Sequence, residues 1–158
     1  MRAYLSGAIE HAPDGGRIWR QDIEEWLGRE LGHTVYNPSK EESTVLTEEE
    51  LKNYRLWRKT DYSRFKSIVR RFIQQDLKVL QTEVDYIICL WDKYVLWGGG
   101  THGELTMACH LKIPVYTVIG IPRNEVSAWI LGCSTEEFES FEELKAYLKK
   151  RYKKSVSR

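Results

Sequence analysis

Two mainly apolar runs, Val84 to Trp91 and Ile113 to Ile119, restrict what this chain can fold into more than any other feature. Both have strand length, and neither alternates with polar residues as a half-solvated strand would. A strand that is apolar throughout is buried on both faces, which requires helices above and below a parallel sheet. A helix-length segment, Thr101 to Leu111, separates the runs and follows Gly98-Gly99-Gly100. The same succession opens the chain. A short run from Ala3 ends at Ser6-Gly7, and a loop with Pro13, Gly15 and Gly16 follows. Trp19, Ile23, Trp26, Leu27 and Leu31 then recur at helical steps, with Asp14 as a cap and Gly32 as the stop.

His33 to Tyr36 predicts another short strand, closed by Asn37-Pro38. Residues 39 to 50 are polar and acidic without a sustained period, which reads as a loop with a short helix. Phe65, Val69, Phe72, Ile73, Leu77 and Leu80 give a long helix over Ser63 to Glu83. A weaker strand is expected near Ala128 to Leu131, and a terminal amphipathic helix from Ser140 to about Tyr152. Strands alternating with helices predict an α/β single-domain three-layer sandwich with a mainly parallel sheet. A chain of 158 residues fits one such domain spanning 1–158.

Twenty-four Lys and Arg against 23 Asp and Glu give a net charge of +1, so global charge indicates neither a nucleic-acid nor a membrane partner. The apolar runs are much shorter than a bilayer span, and the N-terminus lacks a signal-like stretch, so a cytoplasmic protein is expected. Three widely spaced cysteines, Cys89, Cys109 and Cys133, sit among apolar neighbours and are expected in the core. His11, His33, His102 and His110 lack zinc-ligand spacing, so no metal is expected, and the absence of GxxxxGK[ST] argues against a nucleotide triphosphatase; no cofactor is expected.

In a sheet of this kind ligands bind beyond the carboxyl ends of the strands, where strand order reverses. The segments meeting that condition are Tyr4 to Gly7, Tyr36 to Pro38, Trp91-Asp92 and Gly98 to Glu104. The last, GGGTHGE, lets backbone approach a ligand and opens a helix whose free N–H groups favour an anion. Glu104 in that first turn is expected to remain a carboxylate at neutral pH, as a nucleophile must. Thr101-x-x-Glu104 is equally a capping box in which Glu104 bonds back to backbone. Both readings stand from sequence alone. Asp76 falls on the apolar stripe of its helix, where a carboxylate must be paired or functional. Asp92 ends a buried strand and is either a site residue or a solvated turn residue. Lys52 to Arg71 is basic and interleaved with Tyr54, Trp57 and Tyr62, a composition that either binds nucleic acid or forms a solvated helix face; the latter is favoured, as for the terminal KKRYKK.

These residues in order resemble the nucleoside 2-deoxyribosyltransferase superfamily, which includes the 2′-deoxynucleoside 5′-monophosphate N-glycosidases. The likeness rests on YLSG after the first strand, Asp76 in QQDL, the strand VDYIICLWD, and GGGTHGELTMA followed by IPVY. It implies a flavodoxin-like fold with a five-stranded parallel sheet, Glu104 as nucleophile and Asp76 as assisting carboxylate. It also implies a homodimer or higher homo-oligomer in which Asn124 completes a neighbour's site. Gly15-Gly16-Arg17 resembles the phosphate-binding loop of the nucleotide hydrolases, displaced here by an inserted HAPD, which brings in Arg17. Where some transferases carry an acidic residue shortly before the nucleophile this chain has glycine, so Asp92 or backbone groups would recognise the sugar.

The expected activity is cleavage of the N-glycosidic bond of a nucleoside or nucleoside 5′-monophosphate through a glycosyl-enzyme on Glu104, with transfer to a second nucleobase or to water. Tyr4, Ser6, Gly7, Gly100 and Thr101 would line the sugar or phosphate pocket. Trp91 or an aromatic of 54–62 would cover the base. A noncatalytic nucleotide-binding module with Glu104 as a cap is the alternative, and a nucleic-acid-binding protein ranks below it.

Overall fold

Tyr86–Trp91 (β3) is the centre of a five-stranded sheet, and its residues are apolar because both of its faces are covered. In the computed structural model, which describes residues 1–152, Arg2–Gly7 (β1) and Val115–Ile119 (β4) flank it. Thr34–Tyr36 (β2) and Glu136–Phe138 (β5) form the edges. Every pairing is parallel and the order is β2-β1-β3-β4-β5, so the order reverses between β1 and β3. This is the flavodoxin-like arrangement.

Arg17–Leu31 (α1) and Phe141–Tyr152 (α7) cover one face. Ala3, Leu5, Ile23, Leu27, Tyr86, Ile88, Leu144 and Leu148 are buried between them and the sheet. Tyr62–Thr82 (α4), Gly100–His110 (α5) and Ala128–Cys133 (α6) cover the other. There Tyr4, Leu80, Ile87, Cys89, Trp91, Leu105 and Ile130 pack together. Alternate residues of β3 thus feed opposite layers, as strand geometry requires. Ile88 has no exposed surface, so Ile88→Ala leaves a cavity in the core. A loss of about 2–5 kcal/mol is expected, read as a lower urea midpoint at unchanged m-value.

Residues 39–50 hold more structure than expected. Pro38–Val45 (α2) starts from Asn37, whose side chain accepts from the Ser39 N–H, and Glu48–Thr60 (α3) starts from a Thr47/Glu50 capping box. Local cap chemistry wins there over the missing apolar period. The strand expected near Ala128 to Leu131 is instead α6, because Ile130 and Cys133, three apart, face the core while Trp129 points outward. A four-residue apolar run cannot separate one helical turn from a strand. Cys89 and Cys133 are buried as expected, but Cys109 is exposed, on the outer side of α5. Among the described residues no helix is long and apolar enough to cross a membrane. The last two lysines of KKRYKK lie outside the described residues.

Three glutamates of the acidic 39–50 segment pair with three arginines of the basic 52–71 segment once folded. Arg55 pairs with Glu42 at 2.8 Å, Arg64 with Glu49 at 3.2 Å, and Arg71 with Glu50 at 2.6 Å. Arg58 reaches Glu10 at 2.7 Å, and the Arg64 guanidinium lies 3.7 Å over the Trp57 ring. Four of the eight basic residues of this stretch, and Trp57, are thus engaged within the chain.

Candidate active site

Tyr4 and Ser6 are two apart on β1 and project to the same face of the sheet, toward α5. Tyr4 Oη donates to Glu104 Oε1 at 2.9 Å, and Ser6 Oγ donates to Glu104 Oε2. Each carboxylate oxygen therefore has one fixed donor, and the side chain is aimed across the strand end. The capping-box reading does not hold: α5 begins after Gly99 without a side-chain cap. Glu104 is drawn to the strand hydroxyls instead of back to its own helix. Burial pushes its carboxyl up, opposed by the two hydroxyls and by Arg20. The helix terminus expected to favour its ionised form thus acts against desolvation, the largest influence on this group.

Asp76, on α4, accepts a hydrogen bond from Tyr36 Oη at 2.8 Å. Burial and the nearby charge of Glu104 raise its carboxyl to about 6, against the lowering effect of the Tyr36 hydrogen bond. The Tyr4 and Tyr36 rings stack with centroids 5.2 Å apart, and burial raises both hydroxyls, so both stay neutral donors. Two carboxyl groups are thus each steered by their own tyrosine.

Both line a cavity of about 370 Å³ at the carboxyl ends of the strands, beside the β1/β3 reversal. Gly7, Tyr36, Gly100 and Thr101 form its walls, and the Arg58–Glu10 and Arg55–Glu42 pairs are among its lining. A space of this size suits a small molecule of nucleoside dimensions.

Five sequence-predicted residues, Glu104, Asp76, Gly7, Gly100 and Thr101, line this space; Tyr4 and Ser6, expected to line it as well, are buried behind Glu104 and hold its oxygens instead. The others do not. Trp91 is wholly buried in the core, its ring edge-on to His102, so it covers no ligand. Continuous burial of β3 dictates this. Asp92 accepts from the Tyr94 N–H at 2.9 Å and lines a different cavity, on the far side of the β1–α1 loop. Arg17 is exposed, donates to the Asp14 carbonyl and does not line the cavity. Asn124 is exposed in the 3-10 turn after β4, also away from it. Of the aromatics at 54–62, Tyr54 lines the cavity, and Trp57 and Tyr62 do not. Sequence reasoning missed Tyr36, named only as a strand end, and Arg20. Arg20 shares the α1 stripe with Ile23 and Leu27, the same signal that marked Asp76. Among the described residues no group of three or more His, Cys, Asp or Glu is arranged to hold a metal ion.

A solved structure of a 2-deoxyribosyltransferase from Bacillus psychrosaccharolyticus matches this architecture with a TM-score of 0.61, covering 93% of this chain and 92% of that one. The chain has the fold of that 2-deoxyribosyltransferase. Sequence identity between the two is 16%. No family model matches the sequence, and no curated protein matches it.

Proposed function

We propose that this protein cleaves the N-glycosidic bond of a deoxynucleoside or its 5′-monophosphate and passes the sugar to a second nucleobase or to water. The observation that carries this reading is Glu104: a recessed carboxylate fixed by two neutral hydroxyls, open to a cavity it shares with a second, protonatable carboxylate. The shared fold with a 2-deoxyribosyltransferase supports it.

In the proposed reaction a Glu104 oxygen attacks the anomeric carbon as the bond to the base nitrogen breaks, through an oxocarbenium-like transition state. The bonding pair leaves with the base, which takes a proton from Asp76. Tyr4 and Ser6 hold the attacking oxygens in line, which lowers the entropic cost of reaching the sugar. An incoming base or water then attacks the same carbon from the opposite side and releases the carboxylate. Asp76 accepts the proton of the incoming nucleophile, and retention follows from the two displacements. No cofactor enters this scheme. Asn124 is proposed to serve a neighbouring subunit in a homo-oligomer, which its exposure and distance from its own cavity support.

The test is mass-spectrometric detection of free base from a panel of deoxynucleosides, ribonucleosides and their 5′-monophosphates, with and without a second base. Release of base from at least one deoxy substrate is expected, with exchange in the presence of an acceptor if transfer dominates. No release from any member would overturn the proposal.

A further inference from the structure

Arg20 has no exposed surface and never reaches the cavity. All four of its hydrogen bonds end on backbone carbonyls: Leu5 at 3.3 Å, Gly7 at 2.8 Å, Ala8 at 3.2 Å and Gly16 at 2.8 Å. None of the ion pairs among the described residues includes it. A buried cation without a contacting anion is costly and calls for a reason. The chain is shaped to admit it. A Cβ at Gly16 would lie 2.1 Å from Arg20 Nη1 and 2.3 Å from the Ala8 carbonyl, at a backbone φ of +67° that already favours glycine.

Three of the four carbonyls belong to residues 5–8, the carboxyl end of β1 and the loop beyond it. The same stretch contains Ser6, which holds Glu104, and Gly7 and Ala8, which wall the cavity. The ionisable groups that act on Glu104 from each packed element are Tyr4 of β1, Asp76 of α4, Cys89 of β3 and Arg20 of α1. Burial keeps the tyrosine and the thiol neutral, and Asp76 can only add negative charge. Arg20 is the cation in this set, and its attraction to Glu104 is mutual.

We propose that Arg20 is a positioning residue for the glycosidic reaction, acting from behind β1: its guanidinium pins the strand exit that carries Ser6, and its charge balances the Glu104 carboxylate in place of a contacting counter-ion. A contacting cation would pair with Glu104 and quench it as a nucleophile. A cation set back behind the strand favours the ionised form without forming an ion pair on its oxygens. This inference rests on the glycosidic reading above.

The test compares wild type with Arg20→Met, Arg20→Gln and Arg20→Lys. The rising acid limb of kcat/KM for base release, where Glu104 must lose its proton, is expected to move up by about one pH unit in Arg20→Met and Arg20→Gln, a loss of about tenfold on that limb. In Arg20→Lys the limb should stay near the wild-type position while kcat falls, because the charge remains and the four-carbonyl grip does not. Arg20→Gln keeps amide donors without charge and supplies the neutral comparison should Arg20→Met fail to fold. In parallel, ¹³C NMR titration of glutamate-labelled protein, with Glu104 assigned by Glu104→Gln, reads the same displacement without any turnover. A Glu104 titration unchanged in the neutral variants would overturn the electrostatic role. Equal displacement in Arg20→Lys would overturn it as well. If no substrate is cleaved by wild type, the glycosidic reading fails, and the NMR titration still decides whether Arg20 governs Glu104.

Discussion

Glu104→Gln is expected to reduce base release by about 10³-fold or more while leaving the fold intact. The amide has the shape of the acid; its oxygen accepts from one of the Tyr4 and Ser6 hydroxyls and its NH2 donates to the other, so the cavity keeps its form. What disappears is the nucleophile, because an amide oxygen does not form a stable glycosyl ester. Acid-quenched wild type incubated with substrate should carry the added mass of one sugar on the peptide containing residue 104. The variant should carry none. Residual activity near the wild-type rate would mean that Glu104 is not the attacking group, whatever its position in the cavity.

Asp76→Asn is expected to lower kcat by about 10²-fold, the usual contribution of a positioned general acid. The falling limb of the rate profile near pH 6, where Asp76 would lose its proton, should vanish with it. Substrates with better leaving bases should suffer least, since they need protonation least. The same substitution should stabilise the protein at neutral pH. The folded Asp76 carboxyl sits near 6, above the ordinary value of about 3.9, so the fold binds this proton more tightly than the unfolded chain does. Its stabilising contribution is therefore complete below about pH 4 and is lost as pH rises through about 6. The amide that replaces the carboxyl is neutral throughout, so Asp76→Asn should gain about 2 kcal/mol at pH 8 and almost nothing at pH 4, measured by urea unfolding at both. A stability gain with a loss of turnover is the signature of a group kept for chemistry at the expense of the fold. Equal activity in the variant would leave Asp76 as a buried polar residue satisfied by Tyr36.

Much of this was legible beforehand, for local reasons. The apolar runs at 84–91 and 113–119 could only be doubly covered strands, and a carboxylate on an apolar stripe marked Asp76. The readings that failed had weak or divided local signals. Ala128 to Leu131 was too short to show its period, and the pairing of 39–50 with 52–71 depends on two segments folding back on each other. Trp91 looked available at a strand end, yet the burial that made β3 recognisable also seals that ring inside the core.

By itself, the amino-acid sequence determined the α/β order, the parallel sheet and the strand ends where the candidate site is found, because periodicity and turn chemistry act between near neighbours. Only the tertiary structure decided what Glu104 does there. Its two candidate partners were the backbone three residues away and the hydroxyls of Tyr4 and Ser6, 100 and 98 residues away. Spacing along the chain is silent about contacts of that range. The parallel pairing of β1 with β3 brings those hydroxyls beside α5, and the same packing places Arg20 behind them.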